Sequence, residues 1–311
     1  MKNAFEFKTL TEFTDFFKDE ETCIKHFASV RFANGEYCPH CGHEEIYTFS
    51  NGKRYRCAKC REDFTIKTGT VFGESKLPIK KWFIAIYLLS TTSKGISSVQ
   101  LAKHVGVTQK TGWFMDHRIR KAMKQNGGQL FGTVEVDETF VGGKAKNMHK
   151  AVKARKNIKP GGASETITPV MGLLERGVKA SQVTATVIKG RNATELQGNI
   201  HKYVLTGSEV ISDAHRGYAG LSDAYSHQVI DHAIEYVRGN VHTNGIESFW
   251  ALFKRGYYGI YHQMSRKHLQ RYVDEFTYRF NRRKEGMQTV FSDVVERVAE
   301  STKLPYKELI A

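Results

Sequence analysis

The chain is poor in cysteine and proline, has no long apolar run, and carries fewer acidic than basic residues. Five prolines in 311 residues, with 40% hydrophobic and 12% aromatic content, exclude a fibrous repeat or wholesale disorder and leave a packed globular chain. The longest apolar run, Trp82–Leu89, is eight residues, against the roughly 18–20 needed to cross a bilayer. No membrane partner is therefore expected. The N-terminus, from Met1 to Phe5, opens no apolar stretch, and Asp15, Asp19, Glu20 and Glu21 soon follow, so a secretory signal is not expected. These absences predict a cytoplasmic protein. Cysteine is odd in number at five, and four of the five sit in a spacing that suits metal better than disulfides, as in a reducing compartment. Cys23 is left over and reads as a buried apolar filler. Acidic residues number 32 against 47 Lys and Arg, a formal charge of +15, which predicts a polyanionic partner.

Cys38-Pro39-His40-Cys41, fifteen further residues, then Cys57-Ala58-Lys59-Cys60 is the spacing of a zinc ribbon, in which two tight knuckles supply four thiolates to a tetrahedral ion. Gly42 follows the first knuckle, where positive φ lets backbone N–H groups turn toward the sulfurs, and Tyr55 and Phe64 are placed to cover the site. Four cysteines close the coordination shell and leave no position for a substrate water, so the zinc is structural. His40 and His43 are the local competitors as ligands. The segment is too thin to fold on hydrophobic burial alone, and the metal would hold it together.

Upstream, Phe5, Leu10, Phe13, Phe16, Phe17, Ile24 and Phe27 fall at intervals that suit one or two short amphipathic helices. Downstream, Ser97–Thr108 leading into Gln109–Ala122 reads as a helix-turn-helix. Ala102 is small where two helices cross, Gly106 makes the turn, and Thr108 caps a second helix that would carry Gln109, Lys110, His117, Arg118 and Arg120 outward to DNA. A plain helical hairpin is the competing reading, and the basic charge of the second helix favours DNA. His117-Arg118-Ile119-Arg120 also matches the H-x-x-R fragment of tyrosine recombinases, but it falls inside the proposed recognition helix, and so short a pattern arises often by chance. Gly142-Gly143-Lys144 lacks the spacing of a phosphate-binding loop.

From Gly132 the pattern turns β-rich, with segments at Thr133–Val141, Thr168–Leu174, Val183–Ile188 and Glu209–Ser212, an amphipathic stretch at Ala193–Val204, and helical periodicity from Gly245 to Arg283. This predicts an α/β fold, a mixed sheet with helices on both faces. Between Thr139 and Ser164 stand seven basic residues, Lys144, Lys146 and Lys150 among them, and no Asp or Glu. This basic loop, 142–164, is expected to contact phosphate.

Three carboxylates carry the catalytic reading. Asp137 lies on a strand whose alternation puts Glu135, Asp137 and Thr139 on one face. Asp213 ends a second strand, Val210–Asp213, just before Ala214-His215-Arg216-Gly217-Tyr218. Glu247 sits in His242–Arg255, a helix whose buried stripe is Ile246, Phe249, Trp250 and Phe253. If they converge, these hard oxygen ligands suit two Mg²⁺ ions about 3.5–4 Å apart, the arrangement for phosphoryl transfer. Glu138 points to the opposite face of its strand and reads as structural unless a bulge swings it in. Lys254, two helical turns after Glu247, shares its face and could meet a phosphate or steady the transition-state charge, with a plain surface lysine as the alternative. Arg216, His242, Asn244 and Arg255 are further candidates for DNA contact.

These residues resemble the zinc-ribbon DDE insertion-sequence transposases of the fifteen-ninety-five family. The likeness is carried by Cys38–Cys60, by Asp137-Glu138-Thr139-Phe140-Val141-Gly142-Gly143-Lys144, by Ser212–Tyr218, and above all by His242-Thr243-Asn244 with Glu247, Phe249-Trp250, Lys254-Arg255-Gly256 and Asn281-Arg282-Arg283. The resemblance implies a ribonuclease-H-like core in which Asp137, Asp213 and Glu247 are the first, second and third metal-binding carboxylates. It implies that water cuts at the ends of an insertion sequence and that the freed 3′-hydroxyl attacks target DNA, with no covalent protein intermediate. The expected cofactors are structural Zn²⁺ on Cys38, Cys41, Cys57 and Cys60 and catalytic Mg²⁺, and the expected partners are the terminal inverted repeats, target DNA and further copies of the chain at the nucleoid. The rival reading is a zinc-ribbon and helix-turn-helix regulator without catalysis. The expected domains are an N-terminal helical segment (1–34), the ribbon (35–75), the helix-turn-helix (76–127), the catalytic domain (128–290) and a C-terminal tail (291–311).

Overall fold

The computed structural model describes residues 7–125, 127–143, 149, 167–235 and 237–310. The chain divides into two compact units, Met1–Lys124 with Glu285–Ala311, and Gln125–Lys284.

The first unit opens with α1 (Leu10–Phe16), started by a capping box between Thr9 and Glu12, and α2 (Glu20–Arg31), whose N-cap Asp19 accepts the Thr22 N–H. Such caps satisfy donors that the first turn leaves open. A small antiparallel sheet of β1 (Ile46–Thr48), β2 (Arg54–Cys57) and β3 (Asp63–Thr65) follows, in that order. Next come α3 (Ile79–Thr91), α4 (Ser98–Val105) and α5 (Gln109–Met123). Ser97 and Thr108 cap α4 and α5, and Gly106 ends α4, as the helix-turn-helix spacing requires.

The outward face expected of α5 is corrected by its packing. Gln109 and Lys110 are exposed, but His117, Arg118 and Arg120 are 0%, 8% and 1% exposed. The helix is wedged among α3, α4 and residues after 285, so most of its length is covered. Arg118 turns its guanidinium to the carbonyls of Gly73 and Leu304, consuming donors that would otherwise reach DNA.

The second unit is built on five strands: β4 (Thr133–Gly142), β5 (Ile167–Glu175), β6 (Gln182–Val187), β7 (Glu209–Asp213) and β8 (Ser226–Ile230), with α6 (Ala193–Tyr203) before β7. Their spatial order is β6-β5-β4-β7-β8. The first three form an antiparallel meander, and β7 and β8 extend it in parallel on the far side of β4. Alternation along the strands separates two cores. Val134 and Val136 join Met171, Leu173, Leu196 and Ile200 beneath α6. On the other face, Val141, Val170 and Leu174 pack with Ile246, Phe249, Trp250 and Phe253 of α7 (Asn244–Gly256) and Val273 and Phe276 of α8 (Leu269–Asn281). This is the mixed α/β core the periodicity predicts.

Two details fix these helices. Gly172, opposite Asp137 in the β4–β5 register, has no room for a Cβ, which would lie 2.6 Å from the Trp250 ring. The open edge of β6 is closed by side-chain amides of α8: Gln270 and Asn281 accept from the Val187 and Val183 N–H groups, and donate to the Ala185 and Val183 carbonyls. Strand edges left bare invite pairing with other chains. The helical periodicity read as continuous from Gly245 to Arg283 is broken by a π-helical turn, Tyr257–Tyr261, and by His262 at φ 56°.

The expected tail at 291–311 is instead helical. α9 (Met287–Glu300) and α10 (Tyr306–Ile310) belong to the first unit. The α9 residues Val290, Phe291, Val294, Val295 and Val298 are buried, at the spacing of one helical face. Phe291 meets the rings of Phe13, Phe17 and Phe83 at centroid distances of 5.2–5.5 Å.

Candidate active site and metal centres

β4 and β7 run side by side and parallel, with Glu135 opposite Ile211. Two residues further along each strand stand Asp137 and Asp213, so the pairing brings the last residue of β7 beside the middle of β4 and sets the two carboxylates together. Asp137, Glu138 and Asp213 each place a ligand oxygen within 4.8 Å of the others. Glu138 lies on the opposite face of β4 from Asp137, as strand alternation predicts, yet its carboxylate reaches the same cluster. The Tyr218 hydroxyl donates to Glu138, and Arg191 stands 3.9 Å from it. Asp213 accepts the His215 N–H at 3.1 Å, which ties it to the turn Arg216–Tyr218 that follows.

The electrostatics of this cluster are unfavourable without a cation. Burial pushes the Asp137 carboxyl up to about 7, and the neighbouring charges of Glu138, Asp213 and Glu247 add to the effect against a backbone N–H that opposes it. Burial also raises Glu138, against the stabilising Tyr218 hydroxyl. Converging, desolvated carboxylates are a hard-oxygen donor set that fits a divalent cation, whose charge would offset their repulsion.

Glu247 is on the first turn of α7, close enough to raise Asp137 but outside the 4.8 Å group. Its carboxylate accepts the Thr243 hydroxyl at 2.9 Å and lies 3.6 Å from His232 Nε2. The structure thus brings Asp137 and Asp213 together as expected, adds Glu138, and holds Glu247 nearby on separate partners. Nothing in the spacing of the sequence pointed to His232 or Arg191. Tyr218 lay within the Ser212–Tyr218 stretch without a role.

Of the other candidates, Arg216, Asn244, Lys254 and Arg255 are exposed, the last with its Nε donating to the Ala251 carbonyl. His242 is half-buried, its Nδ1 2.9 Å from the Arg176 guanidinium. Lys144, Lys146, Lys150 and most of the basic loop lie outside the described residues.

In the first unit the sulfurs of Cys38, Cys41, Cys57 and Cys60 all lie within 4.8 Å of one another, with Cys38–Cys60 at 3.7 Å and Cys41–Cys57 at 3.6 Å. A tetrahedron with Zn–S near 2.3 Å has edges of about 3.8 Å, so the spacing fits zinc. The His40 and Cys60 N–H groups point at Cys38 and Cys57 sulfurs. Gly42 turns the first knuckle at φ +75° as expected, while the second uses Arg61 at φ 62°. Tyr55 and Phe64, both buried, stack beside the site at 5.3 Å.

The same segments are the ones that match known proteins. A family model for the ISXO2-like transposase domain matches residues 129–281, and one for the transposase zinc-ribbon domain matches residues 18–63. An uncharacterized protein in transposable element ISH50 of Halobacterium salinarum is 30% identical over 254 residues, 77% of this chain and 83% of that protein. The chain belongs to the ISXO2-like zinc-ribbon transposase family. This family's transposase domain spans β4 through α8 and so contains every carboxylate of the candidate site. The crystal structure of a pre-cleavage Mos1 transpososome aligns at 14% identity over 75% of this chain and 82% of that chain with a TM-score of 0.23, too loose a superposition to carry an argument.

Proposed function

We propose that this member of the transposase family binds the ends of an insertion sequence, hydrolyses the strand there, and joins the 3′-hydroxyl to target DNA by metal-dependent phosphoryl transfer. The observation that carries the reading is the convergence of Asp137 and Asp213, 76 positions apart in sequence, where β7 ends beside the middle of the adjacent parallel strand β4, with Glu247 nearby. Asp137, Asp213 and Glu247 would hold two Mg²⁺ ions, which would supply an activated oxygen nucleophile and charge for the leaving oxygen. The chain's own residues set the geometry: β4 and β7 fix the separation of the two aspartates, and α7 brings Glu247 to their side. In hydrolysis a water oxygen attacks the phosphorus at the element end and a 3′-hydroxyl leaves. In joining, that hydroxyl attacks a target phosphodiester and displaces its 3′-oxygen, with no bond to protein.

DNA binding follows from the family, the +15 charge and the exposed Gln109, Lys110, Arg216, Asn244, Lys254 and Arg255. Lys254 would face a phosphate or the transition-state charge. The ribbon, held by structural Zn²⁺, and the N-terminal end of α5 would read the element ends, as recognition helices do with their first turns. Copies of the chain would assemble on DNA at the nucleoid. No helix among the described residues is long and apolar enough to cross a membrane.

Strand transfer in vitro tests the reading: a labelled DNA end from the flanks of the gene is offered with a plasmid and Mg²⁺ to wild type and Asp213→Asn. Joining by wild type alone is expected. If neither protein joins or nicks and both bind the end equally, the protein is a DNA-binding regulator instead.

A further inference from the structure

We infer that Glu135, together with Arg176, is a positioning residue that holds the first turn of α7, and through it Glu247, in register with Asp137. The inference rests on the reading of Glu247 as a metal ligand and extends it to residues with no assigned role.

Glu135 stands two residues before Asp137 on β4 and on the same face, and its side chain is 1% exposed. An acid so deeply buried is stabilised only by specific partners. One oxygen, Oε1, receives the Arg176 Nε–H at 2.7 Å. The other, Oε2, accepts the Ile246 backbone N–H at 2.9 Å. That N–H is one of the donors a helix start leaves unsatisfied. In α7 the N-cap Thr243 makes no side-chain bond to the backbone of the first turn, and its hydroxyl donates to Glu247. The cap is therefore supplied by a strand residue 111 positions away, and its negative charge also suits the helix N-terminus.

Arg176 completes the clamp. Besides Glu135, it donates to the carbonyls of Asn240 and His242, each at 2.7 Å, so one guanidinium pins the backbone that enters α7. Its own N–H bonds to the Thr133 carbonyl at 2.9 Å, anchoring the clamp to β4. Gly245 is the remaining requirement: a Cβ there would lie 2.9 Å from Glu135 Oε2, so any side chain would push the helix start off the carboxylate. The strand that carries Asp137 and the helix that carries Glu247 are thus joined by a direct hydrogen bond one residue before Glu247. Rotation or translation of the first turn would break it.

Hydrogen exchange on the metal-free full chain, Mn²⁺ binding followed by electron paramagnetic resonance, and DNA-end affinity are to be compared for wild type, Glu135→Gln, Arg176→Lys and Glu247→Gln. Glu135→Gln and Arg176→Lys are expected to speed exchange at the Ile246 and Glu247 amides and to weaken Mn²⁺ binding about tenfold, the low end of what partners of metal ligands carry, with DNA-end affinity unchanged. Arg176→Lys retains the Glu135 charge and serves alone should Glu135→Gln not fold. Glu247→Gln should weaken Mn²⁺ binding while the Ile246 amide stays protected. Wild-type Mn²⁺ affinity in both clamp variants overturns the inference, whether or not exchange rises, since it leaves only a stabilising bond. Wild-type Mn²⁺ affinity in Glu247→Gln instead removes the reading of Glu247 as a ligand, and the inference with it.

Discussion

At the residue scale, Asp137 shows what converging buried carboxylates cost the fold. Its folded-state value of about 7 stands well above the ~3.9 of an exposed aspartate. A carboxyl raised on folding contributes its stability below the unfolded value, and that contribution is lost as pH rises through the folded one. The metal-free protein should therefore lose stability from this group between about pH 4 and pH 7. Asp137→Asn removes the charge, so in metal-free buffer its melting temperature should exceed that of wild type at pH 8, at about 2–4 °C per kcal/mol recovered, with the gap closing toward pH 4. Calorimetry at both pH values in the presence of a chelator checks this, and a lower melting temperature for the variant at pH 8 would refute it. Asp137 and Asp213 were legible as candidates because each lies in a recognisable strand segment, Asp137 midway along β4 and Asp213 at the end of β7. Glu138 was not, since strand alternation places it on the far face, and only the Tyr218 and Arg191 side chains show where its carboxylate is held.

At the element scale, the site depends on how closely α7 lies on the sheet. Gly172 sits opposite Asp137, and the missing side chain admits the Trp250 ring and Ile246. Gly172→Ala should force these groups away and cost about 1–3 kcal/mol, the range for overpacking a filled core. Urea unfolding of the variant measures it, and an unchanged midpoint would mean that α7 shifts freely over β5. The strand segments, the amphipathic stretch before β7 and the start of α7 were readable from periodicity because each buries one face. The break between α7 and α8 was not, since hydrophobic spacing continues through Tyr257–Tyr261 while the backbone turns. α5 misled for a related reason: Arg118 and Arg120 carry charge, which suggested solvent, but the helix is enclosed and Arg118 satisfies backbone carbonyls instead. Composition reports what a side chain prefers, and only the neighbours decide whether a buried partner meets that preference.

At the scale of the whole molecule, the chain returns to its beginning. Residues 285–311 complete the unit that starts at the N-terminus, and α9 contributes Val290, Phe291, Val294, Val295 and Val298 to its core. Each such side chain stabilises by roughly 1.5–3 kcal/mol, so losing them together removes about as much as a domain's whole net stability. A chain ending at Lys284 should lose the unfolding transition of the first unit and its zinc ribbon, while residues 125–284 keep theirs. Two transitions at wild-type temperatures in scanning calorimetry of that truncation would refute the assignment. The sequence by itself determined the four-cysteine cluster of the ribbon, the α/β class, the capped starts of α4 and α5 and the strand positions of Asp137 and Asp213, because knuckle spacing, caps and alternation are local properties of the chain. Tertiary structure alone decided that α9 is core rather than tail, that Glu138 joins the aspartates, and that Glu135 and Arg176 brace α7. These are contacts between residues far apart in the chain, set by strand order and helix packing, and no local pattern encodes them.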